Sequence, residues 1–159
     1  MTAMCDAHSW QQWYQMSMLP HISDRIVELY DALGTAIEQQ GATCWSSGKC
    51  CNFNAHGHLL YVTGLEIAWY CHQLQSTAVT VDLKAACPFQ IDGLCSTHAI
   101  RPLGCRVYFC QAGTADWQQD LYEQFQKQLV QLHEDQAIPY AYMEWRYGLA
   151  QALPLRPLT

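Results

Sequence analysis

The stretch Cys44-Trp-Ser-Ser-Gly-Lys-Cys50-Cys51 opens the region that decides how this chain is organised. The same region contains Cys87-Pro-Phe-Gln-Ile-Asp-Gly-Leu-Cys95 and ends with Arg101-Pro-Leu-Gly-Cys105-Arg-Val-Tyr-Phe-Cys110. Residues 44–110 hold eight of the nine cysteines, and glycine, proline or other turn-forming residues accompany seven of them. Thiols that lie on loops and come from distant parts of a chain are typical of a metal or iron–sulfur site.

The composition around this region predicts one folded domain over residues 1–159. Half of the residues are apolar, which is enough to bury a core without covalent staples. The formal net charge is −6, and only eight residues are Lys or Arg. Because binding to a phosphate backbone requires basic patches, we expect no nucleic-acid partner.

The termini and the hydropathy pattern predict a cytoplasmic protein that makes no contact with a membrane. The first ten residues lack the basic and apolar segments of a signal peptide, and no stretch is long enough for a membrane span. Thiols stay reduced in the cytoplasm, so nine cysteines favour metal binding or catalysis over disulfides. An odd number of cysteines also fits poorly with a closed set of disulfides.

Apolar periodicity predicts a mainly α fold with four to five helices around a cysteine-rich loop core. The strongest helix covers residues 22–40, with Ser23 as N-cap and Gly41 as the C-terminal stop. The pair Thr63 and Glu66 has the spacing of a capping box and opens a helix to about Leu74. Other helices are expected within residues 1–20 from a Ser9–Gln12 capping box, from Thr114 to Glu134, and around Tyr142, Trp145, Leu149 and Leu153. The region from Cys87 to Cys110 is expected to form turns, with a minor β-hairpin at Asp92-Gly93.

The cysteines allow three kinds of site. An iron–sulfur cluster is favoured by Cys87-Pro88, because proline after a ligand is familiar from cluster loops. Zinc is compatible with the spacing of Cys105 and Cys110, although the chain has no C-x2-C pair. Redox thiols are the third possibility, with the adjacent Cys50 and Cys51 as a reactive pair. The candidate metal ligands are the seven loop cysteines, Cys44, Cys50, Cys51, Cys87, Cys95, Cys105 and Cys110.

The remaining cysteines and the neighbouring charged residues receive supporting roles. Cys71 lies on the apolar face of a predicted helix and is expected to be a buried structural thiol, while Cys5 is incidental. Four thiolates around zinc or a four-iron cluster leave a net negative charge. Cationic side chains in the loops would offset that charge, and Glu66 would orient an arginine beneath the site; these candidate cofactor-binding residues are Lys49, Glu66, Arg101 and Arg106. An ordinary ion pair of an arginine with Glu66 or Asp92 is the plainer alternative. His56, His58 and His98 are expected to be exposed loop residues.

The order of these motifs resembles that of the YkgJ-type cysteine-cluster family of bacterial proteins. The matching motifs are Cys44…Cys50-Cys51, Thr63-x-x-Glu66, Cys87-Pro-Phe, Gly93-x-Cys95 and Arg101-Pro-x-x-Cys105-Arg-x-Tyr-x-Cys110. The resemblance implies a zinc- or iron-chelating domain over residues 44–110. In this chain Ser47 stands where the family often has the second cysteine of its C-x2-C-x2-C-C run. The flagellin lysine methylase is similar to this family and carries an iron–sulfur cluster, but the extra sequence of that enzyme is not evident here.

The sequence therefore predicts a metal-binding protein with an iron–sulfur cluster, preferably [4Fe–4S], or with zinc. The centre would serve a redox, accessory or unassigned catalytic role. The alternative is a structural zinc protein that presents its helices to a protein partner. An enzyme would need an open coordination position beside a pocket, whereas a structural site would be closed. No Ser-His-Asp set, phosphate loop or carboxylate pair is recognisable, and the substrate and the oligomeric state stay open.

Overall fold

Helices dominate the structure, a computed structural model that describes residues 5–41, 59–75, 78–107 and 115–157. Within these ranges the α-helices are α1 (Ala7–Met18), α2 (Pro20–Gln39), α3 (Gly64–Gln73), α4 (Leu103–Val107), α5 (Ala115–Asp135) and α6 (Trp145–Ala152). The strands are β1 (Tyr61–Thr63), β2 (Gln90–Ile91), β3 (Leu94–Cys95) and β4 (Tyr142–Glu144), and short 3-10 turns cover His98–Ile100 and Leu153–Leu155. The predicted mainly helical single domain is confirmed.

The first two helices form where apolar periodicity placed them, but with different caps. Asp6, not Ser9, caps α1, because its carboxylate accepts the backbone N–H of Ser9 at 2.9 Å. Helix α2 begins at Pro20, whose fixed φ suits a first helical position, so Ser23 lies inside the helix and is not its N-cap. The C-terminal stop is confirmed, since Gly41 follows the helix with a φ of 74°.

A small antiparallel sheet of β1 and β4 joins two strand-to-helix units. Val62 pairs with Met143, and the backbone N–H of Trp145 donates to the carbonyl of Leu60 at 2.8 Å. Each strand runs directly into a helix, β1 into α3 and β4 into α6. Tyr142 therefore belongs to a strand and not to the last helix, because its backbone pairs with Thr63.

Both helices that leave this sheet begin with a side-chain cap. The capping box before α3 is confirmed, because Thr63 Oγ1 accepts from the backbone N–H of Glu66, whose own side chain accepts from the N–H of Thr63. Helix α6 is capped by Glu144, whose carboxylate accepts from the backbone N–H of Tyr147 at 2.9 Å. These caps fix where α3 and α6 start, and α3 then carries Tyr70 while α6 starts with Trp145.

The core lies between α3 and the helices around it. Helix α1 packs along α3, and Gly64 at the start of α3 lets the ring of Trp13 approach the backbone. Helix α6 approaches α3 from another side, where Gly148 faces Ile67. The largest fully buried side chains of the described residues are aromatic: Trp10, Trp13, Trp145, Tyr14 and Tyr70. Helix α3 is therefore the central element, with Gly64 to Cys71 buried throughout.

The segment between Cys87 and Val107 combines a hairpin with a helix that the sequence did not predict. Strands β2 and β3 pair as Gln90 with Cys95 and Ile91 with Leu94, so the hairpin at Asp92-Gly93 is confirmed. Both turn residues have positive φ, 52° and 79°, as a two-residue hairpin turn requires. The short helix α4 then forms where only turns were expected.

None of the helices in the described ranges is both long enough and apolar enough to cross a membrane.

Candidate metal centre

Three of the predicted ligands lie on the hairpin segment and on α4. Cys87 precedes the turn into β2, and its carbonyl accepts the backbone N–H of Gln90 at 3.0 Å. Cys95 ends β3, directly across the ladder from Gln90. Cys105 lies in α4. Cys87 and Cys105 are buried, with 9% and 7% of their surface exposed, and Cys95 is half-buried.

Tyr70 of α3 binds the segment that follows the hairpin and is linked through it to Cys95. Its hydroxyl shares a hydrogen bond of 2.6 Å with Thr97 Oγ1, which lies 3.9 Å from Cys95 Sγ. Burial raises the pKa of Tyr70, and negative charge on Cys87, Cys95 or Cys105 would raise it further. Tyr70 is thus linked to the sulfur of Cys95 through Thr97, and charge on any of the three cysteines acts on its hydroxyl.

An aromatic wall encloses this group from the side of the core. The ring of Tyr70 packs edge-on against Phe89 at 5.2 Å and against Trp145 at 4.8 Å between centroids. The indole Nε1–H of Trp145 donates to Cys87 Sγ at 3.2 Å. All three aromatic side chains are at least 95% buried. The sulfur of Cys87 is therefore held in an apolar setting by a directed hydrogen bond.

The carboxylate of Glu66 holds helix α4 in place. Glu66 is 1% exposed, and its Oε2 accepts from the backbone N–H of Leu103 and from the hydroxyl of Tyr30, each at 2.8 Å. Its Oε1 accepts from the hydroxyl of Thr63 at 3.0 Å. Burial and the adjacent Glu66 raise the pKa of Tyr30 well above its ordinary value, so the phenol stays protonated and keeps donating. Glu66, the second member of the capping box of α3, thus also accepts the first backbone N–H of the helix that carries Cys105.

The two arginines of the region bind backbone carbonyls. Arg101 donates through Nε to the carbonyl of His98 at 2.8 Å, and Arg106 donates to the carbonyls of Arg101 and Ala99 at 2.6 and 3.0 Å. The guanidinium of Arg106 lies 4.2 Å from the centre of the Tyr30 ring. Both side chains therefore brace the 3-10 turn in front of α4.

Glu66 was predicted to orient an arginine, but its carboxylate binds a backbone N–H instead. The carboxylate binds the Leu103 N–H. Among the salt bridges of the described ranges, none joins Arg101 or Arg106 to Glu66 or Asp92. The charge of Glu66 still acts on Arg106 at longer range, because it helps to raise a pKa that burial lowers. Glu66 therefore acts on the candidate centre indirectly, by binding the backbone of the helix that carries Cys105.

The other predicted site residues lie partly outside the described residues. Cys44, Lys49, Cys50, Cys51 and Cys110 fall there, together with His56 and His58. Within the described part of the chain, no three or more His, Cys, Asp or Glu side chains lie together so that they could hold a metal ion, and Cys87, Cys95 and Cys105 do not form such a group by themselves. Cys87, Cys95 and Cys105 supply soft sulfur donors that suit zinc or iron–sulfur chemistry, and a full ligand set would need further cysteines.

Cys71 and Cys5 occupy the places expected of them. Cys71 is completely buried in α3, and burial raises the pKa of its thiol to about 12, which favours an inert structural thiol. Cys5 precedes α1 and packs against the edge of the core. Neither is a predicted ligand, and Cys5 therefore serves as a control.

His98 differs from its prediction as an exposed loop residue. It lies in the 3-10 turn before α4 and is half-buried, and its Nε2 has no hydrogen-bond partner among the described residues. Burial, Arg101 and Arg106 all lower its pKa. His98 is half-buried because it lies in the 3-10 turn, near Arg101 and Arg106.

Sequence reasoning missed Tyr70, Thr97 and Trp145 as neighbours of the cysteines. Tyr70 and Trp145 appeared only as apolar positions of amphipathic helices, and that pattern carries no sign of a polar contact. Trp145 also lies outside residues 44–110, far from Cys87 in sequence. Only the packing of α6 against α3 brings its indole to the sulfur.

Comparison with protein-family models, with curated proteins and with solved structures gives no match for this chain.

Proposed function

We propose that this protein binds a metal centre, with an iron–sulfur cluster favoured over zinc, on thiolates of the loop cysteines. Cys87, Cys95 and Cys105 would supply three ligands, and the others would come from Cys44, Cys50, Cys51 and Cys110. The observation that carries the proposal is the buried sulfur of Cys87, which accepts the indole N–H of Trp145 at 3.2 Å. The sulfur of Cys95, on the hairpin that follows, lies 3.9 Å from Thr97 Oγ1.

The surroundings of the three thiols support a cluster more than a solvent-exposed zinc knuckle. Tyr70, Phe89 and Trp145 form an apolar wall, and such walls shield clusters from water and oxygen. The Trp145 N–H directed at Cys87 Sγ is the kind of contact that stabilises electron-rich cluster sulfurs. The chain also lacks the C-x2-C pairs that zinc ribbons usually use.

The proposed centre serves a redox, accessory or catalytic role. The chain's contribution is to hold the thiolates: the hairpin positions Cys87 and Cys95, and Glu66 positions α4 with Cys105. Arg101 and Arg106 place positive charge next to α4, which would offset the negative charge of four thiolates. The resemblance to the YkgJ-type family supports the same class of function.

The proposal is tested by purifying the full chain without oxygen and measuring iron, acid-labile sulfide and zinc. We expect a brown protein that carries iron and sulfide, with visible absorbance that decreases on reduction. Air should remove the cluster, after which zinc can occupy some of the same thiolates. A colourless anaerobic protein with about one equivalent of zinc and no sulfide would decide for the structural zinc protein. Protein that holds neither iron nor zinc would overturn the proposal.

A further inference from the structure

The side chain of Trp145 places its only polar atom against the sulfur of Cys87. The side chain is 1% exposed, and the indole Nε1–H lies 3.2 Å from Sγ of Cys87, which is 9% exposed. An indole has one donor and no acceptor, so this N–H has a single hydrogen bond to give. A buried tryptophan normally directs it to oxygen, as Trp69 does to Ser23 Oγ at 3.0 Å. Sulfur is a weak acceptor as a thiol and a stronger one as a metal-bound thiolate.

Both the backbone and the ring of Trp145 are held in place. The backbone N–H of Trp145 donates to the carbonyl of Leu60 at 2.8 Å, at the point where β4 turns into α6. Its ring packs edge-on against Tyr70, with 4.8 Å between centroids and 83° between planes. A side chain with so little freedom arrives at the sulfur already oriented, so forming the bond requires little ordering.

We propose that Trp145 is a positioning residue for Cys87, whose N–H binds the metal-ligated thiolate and adjusts how strongly that sulfur donates to the metal. This inference rests on the proposed function, because it assumes that Cys87 is a ligand. A hydrogen bond to a ligating sulfur withdraws electron density from it, which strengthens the site for the reduced, more negative state of a cluster. Partners of this kind are typically worth roughly 10- to 100-fold in metal affinity.

The first experiment uses the unaltered chain loaded with the spin-half isotope of cadmium, a soft ion that prefers thiolates. NMR then looks for scalar coupling between the metal and indole N–H protons, which passes only through a metal–sulfur bond and a hydrogen bond. We expect coupling to the Trp145 indole proton and none to that of Trp69. Bound cadmium with no coupling to Trp145 would overturn the inference and leave the proposed function standing. A chain that binds no cadmium would overturn the proposed function and this inference with it.

The second experiment compares Trp145→Phe with Trp69→Phe. Both variants keep an aromatic ring and lose one buried indole N–H, but only the first loses a bond to sulfur. We expect cadmium affinity, measured by competition with a chelator, to fall about 10-fold or more in Trp145→Phe and to change little in Trp69→Phe. If a cluster is present, its reduction potential should fall in Trp145→Phe alone. Equal affinities in the two variants would contradict the inference. If Trp145→Phe does not fold, the cadmium coupling measured in the unaltered chain decides whether Trp145 binds the ligated sulfur.

Discussion

The carboxylate of Glu66 accepts a hydrogen bond at 2.8 Å from the backbone N–H of Leu103, two residues before Cys105. One side chain thereby completes the capping box of α3 and satisfies the first turn of α4. The same oxygen accepts from the hydroxyl of Tyr30 on α2. Three helices meet at this buried carboxylate, and the helix that bears a candidate ligand is one of them.

Replacing Glu66 by Gln should destabilise the protein by about 2–3 kcal/mol, because an amide NH₂ would face donors that now meet carboxylate oxygens. Urea unfolding would measure the loss. Glu38→Gln, an exposed change on α2, is the matched control and should stay within about 0.5 kcal/mol of the wild type. We also expect weaker metal binding in Glu66→Gln, since α4 would lose an anchor. Equal stability of the two variants would show that the bonds to Glu66 contribute little.

Serine replacements of Cys87, Cys95 and Cys105 should each lower the metal bound per chain and decrease stability, because metal binding and folding are coupled. The same loss is predicted for Cys110→Ser. Metal analysis and thermal unfolding of anaerobically purified protein would measure both effects. Cys5→Ser is the control and should change neither, as Cys5 only packs at the edge of the core. Full metal content in all the ligand variants would refute this assignment.

Replacing Gly64 by Ala should cost about 1–3 kcal/mol, because a Cβ there would lie 2.6–2.7 Å from three ring atoms of Trp13. The indole cannot move aside easily, since its Nε1–H is bound to the carbonyl of Pro139 at 2.8 Å. Gly34→Ala provides the contrast: it lies within α2, and outside the nearby backbone of that helix no atom lies within 4 Å of the new Cβ. That change should stabilise by roughly 0.5–1 kcal/mol. The same sign of change in both variants would contradict the packing of α1 on α3.

Mild acid should weaken folding through His133. Its Nδ1–H donates to the carbonyl of Leu129 at 2.8 Å, and its Nε2 is buried with no partner among the described residues. Burial lowers the pKa of His133 in the folded state, only partly offset by the Leu129 carbonyl and Glu66. The unfolded chain then takes up the proton first, so the free energy of unfolding should fall as the pH drops below about 6.5.

The measurement is urea unfolding at several pH values from about 7.5 to about 5, a range that brackets the ordinary histidine pKa. His133→Gln should show a shallower decrease than the wild type, with His72 and His98, whose pKa values are also lowered by burial, accounting for part of what remains. Parallel curves for wild type and His133→Gln would exclude this origin of acid sensitivity.

Features encoded by a few neighbouring residues were predictable from the sequence. The Thr63–Glu66 capping box, the stop at Gly41 and the Asp92-Gly93 hairpin all form as expected, because each depends on local backbone geometry. Helix starts were less predictable: α2 begins at Pro20, before Ser23, which was the predicted N-cap. The assignment of Tyr142 to a helix was wrong because its strand exists only through pairing with Thr63.

The sequence by itself determined the helical periodicity, the hairpin turn at Asp92-Gly93 and the choice of sulfur as the candidate donor chemistry. Only the tertiary structure decided which groups meet: Tyr70 at Thr97, Trp145 at Cys87, and Glu66 at the start of α4. These contacts join residues that lie far apart along the chain, and each depends on how the elements that carry the two residues pack together. A pattern read along one chain reports which faces are apolar, but it does not report which buried donor finds which buried acceptor.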